Sequence, residues 1–130
     1  MSVIRCSVIR CGETRRTETP NAVMTTLASP TLGGARQALW RVDMTGGQAG
    51  PLHAFDVEQV WTVLGGGASV QLDDVAITIG AGDTIVLPAG VPRRITADPA
   101  AGLSAIAIAR SGALASAPDR AESIVPPWIA

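Results

Sequence analysis

Four side chains in two short segments have the chemistry to act on a small molecule. The only histidine, His53, and the only phenylalanine, Phe55, stand two residues apart, with Gln59 close behind and Arg93 in a later segment. An imidazole exchanges protons near neutral pH. A guanidinium binds a carboxylate, phosphate or enolate oxygen, and an amide orients a carbonyl group. We therefore interpret His53, Arg93 and Gln59 as catalytic residues for an isomerisation, cyclisation, epimerisation or elimination.

The walls around these residues are predicted to be apolar and aromatic. Side chains alternate along a strand, so His53 and Phe55 share one face while Leu52 and Ala54 take the other. An apolar cavity with a few convergent polar groups is typical of a small-molecule site. The candidate substrate-binding residues are Phe55, Trp61, Trp40 and Met44, with Met24 on a neighbouring strand as a further candidate.

Short β-patterned runs must position this site, because helix-period patterns are scarce. Many short strands separated by turn signals indicate a closed all-β sandwich or barrel. Residues 65–67 (Gly-Gly-Gly) are interpreted as a turn between adjacent strands, and residues 88–92 as a rigid turn that aims residue 93 inward. The predicted strands cover residues 3–9, 22–28, 37–44, 59–64, 68–72, 75–79, 84–87, 94–97 and 103–109.

Two spaced motifs resemble those of the cupin superfamily across about residues 20–110. The first is normally G-x5-H-x-H-x3-E-x6-G and the second G-x5-P-x-G-x2-H. The resemblance implies a jelly-roll β-barrel with the site inside it, and its strength lies in the joint spacing of both motifs. In this chain the first motif reads Gly47, His53, Phe55, Gln59, Gly66, and the second reads Gly82, Pro88, Gly90, Arg93.

The ligand positions of the resembled family are mostly changed. In cupins, three histidines and a glutamate usually hold a metal, whereas Phe55, Gln59 and Arg93 stand at three of those positions here. Phenylalanine donates nothing, an amide oxygen is a poor donor, and an arginine repels a divalent cation. We therefore expect no metal and no cofactor.

Length, composition and charge limit the number of domains and the classes of partner that this chain can have. The 130 residues, with net charge −1, fit one domain. It would comprise a barrel core over about 20–110, an N-terminal strand over 1–12 and a C-terminal extension over 111–130. Balanced charge favours neither nucleic acid nor a membrane as partner. No apolar run is long enough to span a bilayer and no signal peptide is evident, so a cytoplasmic location is expected. The resemblance also implies a homodimer.

Two interpretations are open for Trp128 near the C-terminus. It either packs on its own barrel or contacts a partner subunit.

Three functions remain open at this point. The first is a metal-independent isomerase, cyclase or lyase acting on a small, largely apolar molecule, as in natural-product pathways. The alternative is a non-catalytic cupin that binds such a molecule. The second alternative is a metal-dependent cupin with a degenerate site made by His53 and Gln59.

Overall fold

The computed structural model describes residues 4–130. The regular elements of this part of the chain are antiparallel strands and one short 3-10 helix at Cys11–Glu13. This confirms the all-β prediction and the jelly-roll barrel. The strands in chain order are β1 (Arg15–Glu18), β2 (Val23–Ala28), β3 (Gln37–Met44), β4 (Ala54–Phe55), β5 (Gln59–Leu72), β6 (Val75–Gly80), β7 (Thr84–Leu87), β8 (Arg93–Ala97), β9 (Leu103–Arg110) and β10 (Ala115–Ser116).

Strand β5 links the two halves of the barrel. Its first half lies between β9 and β7, and its second half lies between β6 and β8. Beyond β9 the sheet continues through β3 and β2 to β1. Nearly all the strands therefore depend on β5, directly or through β9.

The triple glycine bends β5 instead of ending it, so the predicted turn at residues 65–67 is wrong. The pairing of β5 with β9 shifts register between Val63 and Gly65, which leaves Leu64 as an extra residue. Such a bulge increases the local bend and twist of a strand. Gly66 has φ 66°, and a Cβ at this position would overlap the carbonyl oxygen of Gly102. The motif glycine is thus needed where β5 passes from one half of the barrel to the other.

Alternate residues of the central strands fill the interior. On β3 the buried residues are Ala38, Trp40, Val42 and Met44, and on β9 they are Leu103, Ala105, Ala107 and Ala109. This period of two is what a strand with one face toward a core requires. Because three of the inward residues of β9 are alanines, this strand occupies little of the space between its neighbours.

The N-terminal segment differs from its prediction. Residues 4–10 form no strand and are mostly exposed, while Val3 lies outside the described residues. The first strand of the described chain is β1, which pairs with β2 and was not predicted.

The homodimer implied by the resemblance remains a prediction. Sedimentation equilibrium of the purified protein would measure the oligomeric state. Within residues 4–130, no helix is long and apolar enough to cross a membrane.

The C-terminal segment belongs to the barrel wall. Strand β10 pairs with β4, and Ala115 exchanges two main-chain hydrogen bonds with Ile124. Ile129 is fully buried, and Trp128 packs half-buried against the core of its own chain. The buried hydroxyl of Thr26 donates to the Trp128 carbonyl oxygen at 2.7 Å.

Replacing Gly66 with alanine should destabilise the protein by about 2–4 kcal/mol, because alanine must adopt a left-handed conformation and displace Gly102. Gly65→Ala is the matched control, since no neighbouring atom lies within 4 Å of its added Cβ. Urea unfolding of both variants measures the difference. Equal midpoints would contradict the proposed role of Gly66.

Candidate functional site

Main-chain pairing places the two motifs side by side. The amide of His53 donates to the Arg93 carbonyl at 3.1 Å, and the amide of Arg93 donates to the His53 carbonyl at 2.8 Å. Residues directly opposite each other in an antiparallel pair project to the same face. The turn before β8 is held as well, because the Gly90 amide donates to the Phe55 carbonyl at 2.7 Å. These bonds direct His53, Phe55 and Arg93 toward one interior.

The interior contains a cavity of about 340 Å³. All seven residues predicted for the site line it, as does Met24, while Leu52 on the opposite face does not. The structure therefore brings together every side chain that the sequence nominated: His53, Arg93, Gln59, Phe55, Trp61, Trp40 and Met44.

Two indoles form one wall of this cavity. Trp40 on β3 and Trp61 on β5 both stand directly opposite Ala107 of β9, which lies between these strands. Directly opposed residues share a face, so the two indoles flank a methyl group. A larger side chain at Ala107 would fill the space between them. The pairing thus explains how two tryptophans point inward without closing the cavity.

A hydrogen-bonded cluster forms the polar part of the wall. The Oε1 atom of Gln59 accepts from Nη2 of Arg93 at 2.7 Å and from Nε1 of Trp61 at 3.1 Å. Gln59 and Arg93 are each only 1% exposed. Because one amide oxygen accepts both bonds, Gln59 fixes the positions of the guanidinium and of one indole.

The guanidinium of Arg93 is buried without a counter-charge. Neither of the two ion pairs found in residues 4–130 includes Arg93. Its Cζ atom lies 4.6 Å from the centroid of the Phe55 ring, which gives a cation–π contact. Burial lowers the pKa of Arg93 to about 10. The side chain is still protonated at neutral pH, so the cavity carries a positive charge.

His53 is held in one tautomer. Its Nδ1 atom lies 2.8 Å from the Pro51 carbonyl oxygen, which only accepts hydrogen bonds, so Nδ1 carries the proton of the neutral ring. The ring packs edge-on against Phe55 with centroids 5.3 Å apart. Burial lowers the pKa of His53, against the opposing effect of the Pro51 bond, and the charges of Arg93 and Arg120 lower it further. Nε2 is therefore an unprotonated base at neutral pH.

The C-terminal segment also contributes to the cavity wall, which was not predicted from the sequence. The loop closed by Ala115 and Ile124 lines the cavity, as do Trp128 and the two prolines before it. Residues 19–22 line it too. No alternation marks these segments, and Trp128 was the one signal that pointed to the barrel. The lining residues contributed after β9 are Ala115, Ala117, Asp119, Arg120, Ile124, Pro126, Pro127 and Trp128.

Comparison with known proteins identifies the family. The family model for the cupin domain matches residues 40–108, which is more than half of the chain. The chain belongs to the cupin family. A search of curated proteins gives no match.

Solved structures of other cupins have the same fold. An RmlC-like cupin from Shewanella frigidimarina superposes with a TM-score of 0.67 at 19% identity, covering 81% of this chain and 91% of that one. The polyketide cyclase RemF from Streptomyces resistomycificus gives 0.68 at 18% identity, covering 84% of both chains. An oxalate decarboxylase variant from Bacillus subtilis gives 0.73 at 17% identity and covers 86% of this chain. The present chain spans only 31% of that decarboxylase.

The residues of this cupin do not fit the metal that the family usually holds. Within residues 4–130, no three histidine, cysteine, aspartate or glutamate side chains are grouped to hold an ion. The amide oxygen of Gln59 already accepts from Arg93 and Trp61. A divalent cation beside His53 would also face the Arg93 guanidinium. The donor set therefore disfavours the metal-dependent alternative with His53 and Gln59.

We expect His53 to titrate below its usual pKa of 6.5. A half-buried base with a lowered pKa binds fewer protons than the same base in the unfolded chain, so its contribution to the free energy of unfolding should fall as pH falls below 6.5 and stay constant above it. The single histidine gives one resolved imidazole NMR signal. The midpoint of its chemical-shift change with pH measures the pKa. His53→Gln should lose this part of the pH dependence. A midpoint above 6.5 would contradict the assigned burial and charges.

Proposed function

We propose that this cupin catalyses a metal-independent proton transfer on a small, largely apolar molecule bound inside the barrel. The reaction class is isomerisation, cyclisation or elimination. The observation that carries the proposal is the pairing of His53 and Arg93, which presents an unprotonated imidazole and a buried guanidinium to one apolar cavity. Such a reaction requires a proton carrier, a group that stabilises negative charge on oxygen, and exclusion of water.

His53 is assigned as the proton carrier. Its Nδ1–H bond to Pro51 fixes the ring, which leaves the lone pair of Nε2 to remove a proton from carbon. The charges of Arg93 and Arg120 disfavour the imidazolium that results. The proton is then readily returned to another atom of the same substrate, which completes an isomerisation or expels a leaving group.

Arg93 is assigned as the group that stabilises negative oxygen, with Gln59 as its positioning residue. Removal of a proton next to a carbonyl group moves negative charge onto the oxygen, and a preorganised donor in a dry site stabilises that charge strongly. Gln59 holds Nη2 of Arg93 at 2.7 Å, so the guanidinium does not have to reorganise during the reaction. Loss of one such donor typically slows turnover by ~10²–10³.

Cyclisation is included because of a fold likeness. The polyketide cyclase RemF has this barrel, and ring closure between a carbon and a carbonyl group begins with proton removal. The indoles of Trp40 and Trp61, which both line the cavity, are suited to a flat, apolar substrate.

Deuterium incorporation tests the proton-transfer assignment without knowledge of the natural substrate. Phenylacetone and phenylpyruvate, incubated with the protein in D₂O, should exchange their acidic C–H protons faster than the solvent background. His53→Gln should lower the catalysed rate by ~10²–10⁴ because the base is lost. NMR integration of the C–H signals measures both rates.

Arg94→Gln is the matched control, because Arg94 is the exposed neighbour of Arg93 on β8, and it should keep the wild-type rate. Prior treatment with a chelator should also leave the rate unchanged. Exchange that persists in His53→Gln would remove His53 from the mechanism. A cavity that binds these ketones without exchanging them would instead identify a non-catalytic binding cupin.

A further inference from the structure

The cavity wall contains buried N–H donors that have no acceptor. In residues 4–130, the buried side-chain nitrogens without a hydrogen-bond partner include Nε and Nη1 of Arg93, Nε2 of Gln59 and Nε1 of Trp40. All three residues line the cavity and are at least 99% buried. Native proteins rarely leave such groups unpaired, because burial removes the water that would otherwise accept the bond. The unpaired groups are all donors, so the molecule that completes this site must supply acceptors.

The charged groups of the lining are two arginines and one carboxylate, Asp119, and neither ion pair found in residues 4–130 joins Asp119 to Arg93. Arg93 has only neutral partners, namely the Gln59 amide oxygen and the face of the Phe55 ring. A second arginine, Arg120, lines the same cavity from the C-terminal loop and lowers the pKa of His53 through its charge. Removing a guanidinium from water without an anion is costly, and an anionic ligand would recover part of that cost.

We propose that the cavity binds an organic anion. Its ionised oxygen accepts a hydrogen bond from the Arg93 guanidinium, and its apolar body lies against the two indoles and Met44. This inference rests on the cavity of the proposed function and narrows its substrate from a small apolar molecule to an ionised oxygen acid, either a carboxylate or an acidic enol or phenol.

The size and lining of the cavity favour an organic anion over an inorganic one. A volume of about 340 Å³ falls in the usual small-molecule range of ~300–1,000 Å³. Phosphate or sulfate would leave the indoles of Trp40 and Trp61 and the thioether of Met44 without a partner. A neutral ketone would fill the space, but it would leave the guanidinium charge uncompensated.

Titration of bound para-nitrophenol tests the inference by the sign of a shift. An apolar cavity without a cation favours the neutral phenol and raises its pKa, whereas a buried guanidinium favours the phenolate and lowers it. We expect the wild-type protein to lower the apparent pKa of the bound dye, read from phenolate absorbance. Arg93→Met should raise it instead. Arg94→Met leaves the surroundings of Arg93 unchanged, so this variant should give the same apparent pKa of the bound dye as the wild type.

A second measurement on the unmodified protein does not depend on any variant. Naphthoate and naphthamide have nearly the same shape and differ in charge, so calorimetry of the pair isolates the carboxylate. The carboxylate should bind about 10- to 100-fold more tightly, the range for charge-assisted hydrogen bonds. A naphthoate preference together with no shift of the dye assigns a carboxylate, and a lowered dye pKa together with no naphthoate preference assigns an enol or phenol.

The anion site would be overturned if the wild-type protein raised the pKa of the dye and bound naphthamide as tightly as naphthoate. It would also be overturned if none of the three probes bound up to its solubility limit. These binding measurements involve no turnover, so they are independent of the deuterium experiment. An anion preference without C–H exchange identifies an anion-binding, non-catalytic cupin, whereas exchange without an anion preference identifies a neutral substrate.

Discussion

The pairing of His53 with Arg93 is the constraint on which the site depends. Two main-chain hydrogen bonds join residues 40 positions apart in the chain and direct both side chains inward. The other polar contacts follow from this placement: Arg93 reaches Gln59 and the Phe55 ring, and Gln59 in turn holds Trp61. Since the pairing uses main-chain atoms, it does not require histidine at the metal-ligand positions of the cupin family. A chain can therefore change those side chains and keep the geometry that brings them together.

The burial of Arg93 lowers the stability of the fold and places a positive charge in the cavity. A buried charge held only by neutral groups destabilises a fold relative to an apolar residue of similar volume. Gln59 and the Phe55 ring reduce that cost without cancelling the positive charge. A carboxylate partner within the chain would have stabilised the fold and removed the charge from the cavity. The amide at position 59 keeps the guanidinium in place and leaves it available to a ligand.

Much of the barrel, and the inward direction of all seven candidate side chains, could be predicted from the sequence. Alternation and motif spacing indicate which face of a strand each residue occupies. Position 93 was predicted inward from the proline turn before it, and it is buried. The triple glycine was misread since positive φ serves a bulge as well as a turn, and only the pairing with β9 distinguishes the two. Strands β4 and β10 are two residues each, too short to show a period. The wall formed after β9 depends on long-range main-chain pairing, which leaves no local pattern.

The C-terminal loop has a consequence for how this protein could diversify. The loop is closed by main-chain bonds between Ala115 and Ile124, and the chain beyond it is anchored by the buried Ile129 and by the Thr26 hydroxyl. Residues between these anchors line the cavity, yet they belong to none of the ten strands. Among them, the side chains of residues 117–120 are exposed or half-buried and are thus exempt from the packing demands that fix the barrel. Substitutions there would change the lining of the cavity while the strands and the His53–Arg93 pair stay as they are.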